Sequence, residues 1–182
     1  MRVITGIARG RRLETLVGND VRPTADKVKE AIFSAIHFDI GGAKVLDLFC
    51  GSGQLGIEAL SRGAEYSVFV DKYKESIAVA KKNIGAVGFS DISKVVHMDS
   101  LDFLKQTELS FDIALLDPPY KKGLVISALE HLSEKMNDGG KVICEHELEL
   151  DLPERVGELR LSKTYKYGKV KVSLYEKGPK GE

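Results

Sequence analysis

The segment Asp117-Pro118-Pro119-Tyr120 follows directly on the apolar run Phe111-Asp112-Ile113-Ala114-Leu115-Leu116. A buried strand that ends this way carries a carboxylate, backbone carbonyls held in place by prolines, and an aromatic ring at one tip. That set suits alkylation of an exocyclic amino group on a flat base. Such a nitrogen is a poor nucleophile, because its lone pair is delocalised into the ring. Acceptors aimed at its hydrogens draw it toward a tetrahedral shape and free the lone pair. The Asp117 carboxylate and the Pro118 carbonyl can be those acceptors. Pro118 and Pro119 each fix their own φ and restrict the preceding residue, so the turn is stiff before substrate arrives. The ring of Tyr120 can stack on a base that is unpaired or flipped out, which offsets part of the cost of extrusion. A strand-ending turn with a surface tyrosine would use the same four letters. The motif upstream argues against that plainer reading.

The upstream motif is Lys44-Val45-Leu46-Asp47-Leu48-Phe49, then Cys50-Gly51-Ser52-Gly53-Gln54-Leu55-Gly56, then Ile57-Glu58-Ala59-Leu60-Ser61-Arg62-Gly63. It reads as strand, glycine turn and short helix, with Gly63 as the C-terminal stop. Glycines let backbone approach a ligand closely, and a helix N-terminus offers free N–H groups to an anion. Taken alone, Gly51-x-Gly53-x-x-Gly56 matches the dinucleotide fingerprint equally well. Asp47, four positions before the first glycine, favours a different ligand. It can face an ammonium while the turn holds a carboxylate, which is a grip for an amino acid moiety. S-adenosylmethionine carries one.

The next strand, Tyr66-Ser67-Val68-Phe69-Val70-Asp71, ends in an acid that can accept from both ribose hydroxyls. A solvated loop charge is the bland alternative for Asp71. After Lys94-Val95-Val96-His97-Met98, Asp99 can accept from an adenine amino group, with the Ser100 and Leu101 backbone nearby. Ser100 could equally be the N-cap of the following helix. Phe49, Ser52 and Lys72 complete the candidate cofactor-binding set.

These tips need a scaffold. Strand and helix signals alternate from residue 44 to 147, which implies a parallel sheet with right-handed crossovers and helices on both faces. Helices are expected near Pro23–Ile36, Gln54–Arg62, Ser76–Val87, Leu101–Gln106 and Gly123–Met136. Thr24 or Asp26 can cap the first of these. Gly139-Gly140 turns into the strand Lys141–Cys144. Leu159–Tyr165 and Val170–Tyr175 flank Lys166-Tyr167-Gly168-Lys169 as an antiparallel hairpin that closes the sheet edge. One Rossmann-like α/β domain over 1–182 is expected, with 1–20 as a basic N-terminal hairpin extension. In open α/β sheets, ligands bind outside the carboxyl ends of strands where the strand order reverses. If the strands before the glycine turn and before Asp117 are neighbours there, cofactor and substrate meet face to face.

Composition narrows the class. Apolar residues at 43% and charged residues at 30% describe an ordinary globular chain rather than a disordered one. No run of about 18 apolar residues and no leader pattern is present, so a soluble, cytoplasmic protein without membrane contact is expected. Cys50 and Cys144 give no disulfide framework, and the four histidines have no ligand spacing, so no metal is expected. Net charge is zero but unevenly placed. Residues 1–29 hold seven Lys/Arg against three Asp/Glu, residues 160–182 seven against two, and the body between 13 against 22. Basic ends on an acidic body suggest a polyanion partner. Arg2-Val3-Ile4-Thr5-Gly6 and Arg12-Leu13-Glu14-Thr15-Leu16 read as two short strands around Arg9-Gly10-Arg11. A hairpin tipped with arginines can grip phosphates, so Arg2, Arg9, Arg11, Arg12 and Arg22 are the candidate polyanion contacts.

The combination of Asp47-x-Phe49-x-Gly51-Ser52-Gly53 with Asp117-Pro118-Pro119-Tyr120 resembles the amino-directed class I S-adenosylmethionine methyltransferases. The fuller resemblance is to the bacterial 16S ribosomal RNA guanine-N2 methyltransferases of the small subunit. Arg22-Pro23-Thr24 followed by Lys29-Glu30-Ala31-Ile32-Phe33 is similar to that family's segment before the cofactor turn, and Gly56 through Ala64 to its loop-helix segment. The resemblance covers nearly the whole chain. It implies a seven-stranded sheet in the order 3-2-1-4-5-7-6 and S-adenosyl-L-methionine as cofactor. It implies a guanine amino group as acceptor and a partly assembled small ribosomal subunit, rather than naked RNA, as substrate. It also implies that Asp47, Gly51, Gly53, Asp71 and Asp99 hold the cofactor and Asp117 through Tyr120 the base. The chain departs from the family at Lys27 and Lys29, where arginine is associated with the first helix, and at Lys169-Val170, where an acid and a threonine are expected. A monomer is the expected state.

Rival readings use part of the same set. DNA amino-methyltransferases share the chemistry but usually carry a separate target-recognition region. Gly51 and Asp117 are 66 positions apart, and the stretch between them is consumed by the sheet's own elements. Protein-glutamine methyltransferases prefer asparagine where Asp117 stands. A dehydrogenase has no use for Asp-Pro-Pro-Tyr. A non-catalytic RNA-binding assembly factor that retains the fold remains the alternative from outside the enzymes.

Overall fold

Aliphatic and β-branched runs build the centre of the sheet in the computed structural model, which describes residues 1–18, 25–120 and 123–179. The strands β1 (Lys44–Leu48), β2 (Tyr66–Asp71) and β4 (Phe111–Leu116) are buried almost throughout. Strands covered by helices on both faces read as near-continuous apolar runs, because neither face meets water. The remaining strands are β3 (Ser93–His97), β5 (Met136–Glu147), β6 (Arg155–Val156), β7 (Leu159–Tyr167) and β8 (Val170–Lys177). They form an eight-stranded sheet in the order β3-β2-β1-β4-β5-β8-β7-β6. Strands β1 to β5 pair in parallel, and β8, β7 and β6 add antiparallel strands at one edge. This is the expected α/β class. The expected seven-strand order lies inside it, and the extra strand is the short β6. Two residues have no periodicity to read, so β6 leaves no signal in the sequence.

Helices α1 (Asp26–Ala35), α2 (Gln54–Ser61), α3 (Lys74–Ala86), α4 (Ser100–Gln106) and α5 (Leu124–Leu132) cover the two faces. Alternate residues along a strand point to opposite faces. Val45, Phe69, Ile113, Leu115 and Ile143 accordingly join one core with Ile32 and Phe33 of α1, Ile57 and Leu60 of α2, and Ala80 and Ile84 of α3. Leu46, Leu48, Val68, Ala114, Leu116 and Val142 join the other with Phe103 and Leu104 of α4 and Leu129 and Leu132 of α5.

Three expectations change. Helix α1 starts at Asp26 after Ala25, with no side-chain cap, so Asp26 lies in the first turn, where its charge favours the helix dipole. Thr24, Pro23 and Arg22 lie outside the described residues. Helix α5 ends at Leu132, and Met136 belongs to β5, opposite Phe111, ahead of a register shift to Ile113 and Lys141. Met136 enters the same core as Leu132, so its helical spacing fits either conformation.

The third change is at the N-terminus, where two short strands are expected. A single antiparallel bridge, Arg2 with Arg12, stands in their place. It is supported by the Val3 amide donating to the Arg11 carbonyl and the Gly10 amide to the Val3 carbonyl, both at 2.9 Å. Turn bonds join the Arg9 amide to the Gly6 carbonyl and the Arg11 amide to the Ala8 carbonyl, and the Ile4, Thr5, Ile7 and Ala8 amides bond to α2. The Ile4 and Thr5 amides donate to the Glu58 carboxylate at 2.9 Å each. The Ile7 amide donates to the Ser61 carbonyl at 2.8 Å and the Ala8 amide to Ser61 Oγ at 2.9 Å. Gly6, at φ +90°, allows this approach, since a Cβ there would lie 1.8 Å from the Ser61 carbonyl oxygen.

Candidate active site at the tips of β1, β2 and β4

Strand β1 lies between β2 and β4, with Leu48 in register with both Val70 and Leu116. The glycine turn after β1, the acid that ends β2 and the Asp-Pro-Pro-Tyr segment after β4 therefore share one edge of the sheet. That edge is the reversal point where α/β sheets bind ligands.

The turn is held from below and from the side. Asp47 is only 1% exposed, and its Oδ2 accepts from the Gly56 amide at 2.9 Å. Burial holds its carboxyl well above the usual carboxylate range, against the opposing Gly56 bond, and the nearby Asp117 and Asp71 push it the same way as burial does. Asp47 thus lies as a carboxyl set under the turn. Asp71 is buried as well and is not a solvated loop charge. Its Oδ2 accepts from the Gly51 amide and its Oδ1 from the Tyr73 amide, both at 2.9 Å, so it clamps the turn to the end of β2. Each carboxylate oxygen keeps further acceptor capacity for a ribose hydroxyl.

The glycines have separate reasons. Gly51 and Gly53 sit at φ 53° and 83°, a region that side chains disfavour. Gly56 lets α2 press on β2, since a Cβ there would lie 2.3 Å from the Phe69 ring. Phe49, at φ 64°, is the one non-glycine residue with positive φ among the described residues. Backbone strain of that kind gathers at ligand-holding turns. Ser52 is buried, and its carbonyl accepts from Asn83 Nδ2 at 2.9 Å. Lys72 is exposed, with its ammonium 5.0 Å from the centre of the Tyr73 ring. At the end of β3, Asp99 is the N-cap of α4, and its Oδ1 accepts from the Leu101 and Asp102 amides at 3.0 and 3.1 Å. Ser100 is the buried first residue of the helix and not its cap.

On the substrate side, Asp117 and Tyr120 are half-buried, Pro118 is buried and Pro119 is exposed. The Tyr120 hydroxyl donates to Glu145 Oε1 on β5 at 3.1 Å. Glu145 is buried within a run of five buried residues of β5, and nothing in the sequence hints at a role at the site. Gln54 is another residue that sequence reading misses. It opens α2 directly after the turn, and its Oε1 is buried with no hydrogen-bond partner. An orphaned acceptor there fits a ligand that brings N–H donors. The turn, Asp71 and Gln54 thus fit an amino acid nucleoside such as S-adenosylmethionine.

The candidate RNA contacts Arg2, Arg9, Arg11 and Arg12 are exposed, and Arg22 lies outside the described residues. The Arg11 guanidinium also donates to the Ala86 carbonyl at the end of α3, which ties it to the body. Lys29 is fully buried and does not face a polyanion. Its Nζ donates to the Arg2 carbonyl at 2.9 Å and lies 3.4 Å from the Glu58 carboxylate. Among the described residues, no group of His, Cys, Asp and Glu is arranged to hold a metal ion, and no helix is long and apolar enough to cross a membrane.

A family model described as "Conserved hypothetical protein 95" matches residues 1–176. The chain belongs to this family. The "Putative rRNA methyltransferase YlbH" of Bacillus subtilis is 40% identical over 182 residues, covering 97% of this chain and 99% of that protein. The "Ribosomal RNA small subunit methyltransferase D" of Escherichia coli K12 is 31% identical, covering 100% of this chain and 92% of that protein. Among solved structures, the "Putative methyltransferase yhhF" of Escherichia coli superimposes with a TM-score of 0.88 at 30% identity, covering 98% of each chain. The family's fold is that of the class I S-adenosylmethionine methyltransferases.

Proposed function

We propose that this chain transfers a methyl group from S-adenosylmethionine to the exocyclic N2 of a guanine in 16S ribosomal RNA, presented by a partly assembled small subunit in the cytoplasm. The observation that carries the reading is the adjacency of the glycine turn and Asp117 on neighbouring strand ends. The named activity of the Escherichia coli and Bacillus subtilis relatives supports ribosomal RNA as the substrate.

In this reading Gly51, Ser52, Gly53, Gly56 and Asp71, with Asp47 beneath them, hold the cofactor. Phe49, Lys72, Gln54 and the Asp99–Leu101 segment border it. When bound, S-adenosylmethionine supplies a methyl group on a positively charged sulfur. The Asp117 carboxylate and the Pro118 carbonyl accept from the amino hydrogens of guanine and restore nucleophilic character to its nitrogen. Tyr120, held by Glu145, offers its ring to the extruded base. The proton of the alkylated nitrogen leaves through Asp117 or water, so no strong base is needed, and positioning is the main contribution to rate. Arg2, Arg9, Arg11, Arg12 and Arg22 meet phosphates, and the protein acts as a monomer.

The test is methyl transfer to small subunits that lack the modification, with the product mapped by mass. Asp117→Ala is expected to abolish transfer while cofactor affinity, read by calorimetry, stays near wild type. Single-turnover transfer by that variant at near wild-type rate would remove Asp117 from the chemistry. A wild-type chain giving no heat with S-adenosylmethionine would leave the non-catalytic assembly factor as the better reading.

A further inference from the structure

Arg155 on β6 and Arg160 on β7 stand directly opposite each other across an antiparallel pair. Both are exposed, and neither forms an ion pair among the described residues. Like charges in directly opposed positions destabilise a sheet. Lys163 follows a register shift in β7 and joins both arginines in lining a groove of about 500 Å³, in which Glu154 is the single acid. This groove lies at the far edge of the sheet, away from the strand tips. Toward the tip of β7, Lys166 is opposed to Lys171, and among the described residues only Lys171 of the two has a carboxylate partner, Asp151 at 3.0 Å.

Aromatic rings lie between these cations and the active site. Tyr165 and Tyr167 are half-buried on β7, their ring centres 6.3 Å apart with 32° between the planes. In the sheet register Tyr165 aligns with Val172 of β8, and Val172 with Glu145 of β5. That row ends at the carboxylate that holds Tyr120. With strands spaced about 4.8 Å apart, Tyr165 lies only about 10 Å along the sheet from Glu145. Single-stranded nucleic acid is gripped by this combination, a line of cations for the backbone and aromatic faces for successive bases.

We propose that the β6–β7 edge is a second RNA-binding surface. It takes the single-stranded segment flanking the target nucleotide, with bases against Tyr165 and Tyr167 and phosphates between Arg155, Arg160 and Lys163. The inference rests on RNA being the substrate. Lysines on an edge strand also deter edge-to-edge pairing of sheets. That purpose requires neither two opposed arginines nor an aromatic pair in line with the active site.

The test compares wild type with Arg160→Ala/Lys163→Ala, using unmethylated small subunits as the probe and reading binding, its salt dependence and methyl transfer. The double variant is expected to bind subunits at least tenfold more weakly. Its log–log salt slope should fall by about 1.4, roughly 0.7 for each lost single-strand phosphate contact. Affinity for S-adenosylmethionine and transfer rate at saturating subunits should stay within about twofold. Arg160→Lys/Lys163→Arg, which keeps the charges, is expected to keep the slope. Unchanged affinity and slope in the alanine variant would overturn the proposal, and so would self-association of that variant with RNA binding intact. Wild-type protein that binds subunits with a variant-sensitive slope, yet transfers no methyl, would support this surface and overturn the methyl-transfer reading instead.

Discussion

Replacing Glu58 by alanine tests how the N-terminal arginine loop is held. Four donors converge on that fully buried carboxylate: the Ile4 and Thr5 amides at 2.9 Å, Arg62 Nε at 3.0 Å and Lys29 Nζ at 3.4 Å. Burial lowers the affinity of Lys29 for its proton, and Glu58 is the main influence opposing that shift. Removing one partner of a buried ion pair costs about 3–5 kcal/mol, because the other charge is left uncompensated. The two orphaned amides would add about 1–3 kcal/mol each if they stayed buried. Residues 4–8 can instead lift away from α2 and rehydrate, which caps the total. A loss of about 4 kcal/mol is expected, or roughly 8–16 °C in melting temperature for a chain of this size. Urea unfolding measures the loss, and limited trypsin digestion, followed at Arg9 and Arg11, reports the lifting. Lys29→Met added to Glu58→Ala should recover part of the stability, because it removes the stranded ammonium. A loss below about 1 kcal/mol with an unchanged digestion pattern would refute the idea that this carboxylate anchors the loop.

The remaining predictions concern the tips and the far strands. Gly56→Ala puts a methyl 2.3 Å from the Phe69 ring, and overpacking of this kind costs about 1–3 kcal/mol. Phe69→Leu in the same chain should restore stability and cofactor binding in calorimetry, and failure to do so would point to a cause other than this contact. Tyr120→Phe removes the 3.1 Å bond to Glu145 and should lower kcat/KM for subunits by about tenfold or more, since hydrogen bonds to charged groups contribute about 1.5–3 kcal/mol. An unchanged kcat/KM would make that bond irrelevant to the reaction. His146 is buried with Nε2 2.8 Å from Ser173 Oγ, and burial lowers its pKa from 6.5. The unfolded chain therefore takes up this proton first. The stability tied to neutral His146 is complete above pH 6.5 and is lost as pH falls through the lower folded value. Urea midpoints between pH 7 and 5 should fall less steeply in His146→Gln, and parallel slopes would exclude His146 as the source.

The centre of the parallel half of the sheet is legible from the sequence because β1, β2 and β4 are short, mostly apolar runs that end in, or are closely followed by, a glycine or an acid. Those endings marked the chemical tips as well. The antiparallel hairpin at the sheet edge is legible from the alternating polarity of Leu159–Tyr167 and the turn that follows it, whereas its place in the strand order comes from the resemblance. What stayed hidden are contacts made across long sequence separations by polar residues of ordinary type. Glu58 and Ser61 lie in a helix that is buried along its whole length, so no periodic face marks them as special. Lys29 follows Val28 in an amphipathic helix and reads there as a surface lysine. Asp99 and Ser100 are both good caps, and only geometry separates them.

Asn83 is a shared fastening. Its amide nitrogen reaches both the Ser52 carbonyl in the glycine turn and the Glu14 carbonyl beyond the arginine loop, and its oxygen accepts from the Glu14 amide. A shortened chain lacking its first fourteen residues would lose the Glu14 half of that fastening as well as the arginines. Weakened cofactor binding after such a deletion would therefore say little about whether RNA contacts were lost. Point changes that leave Glu14 in place separate the two effects.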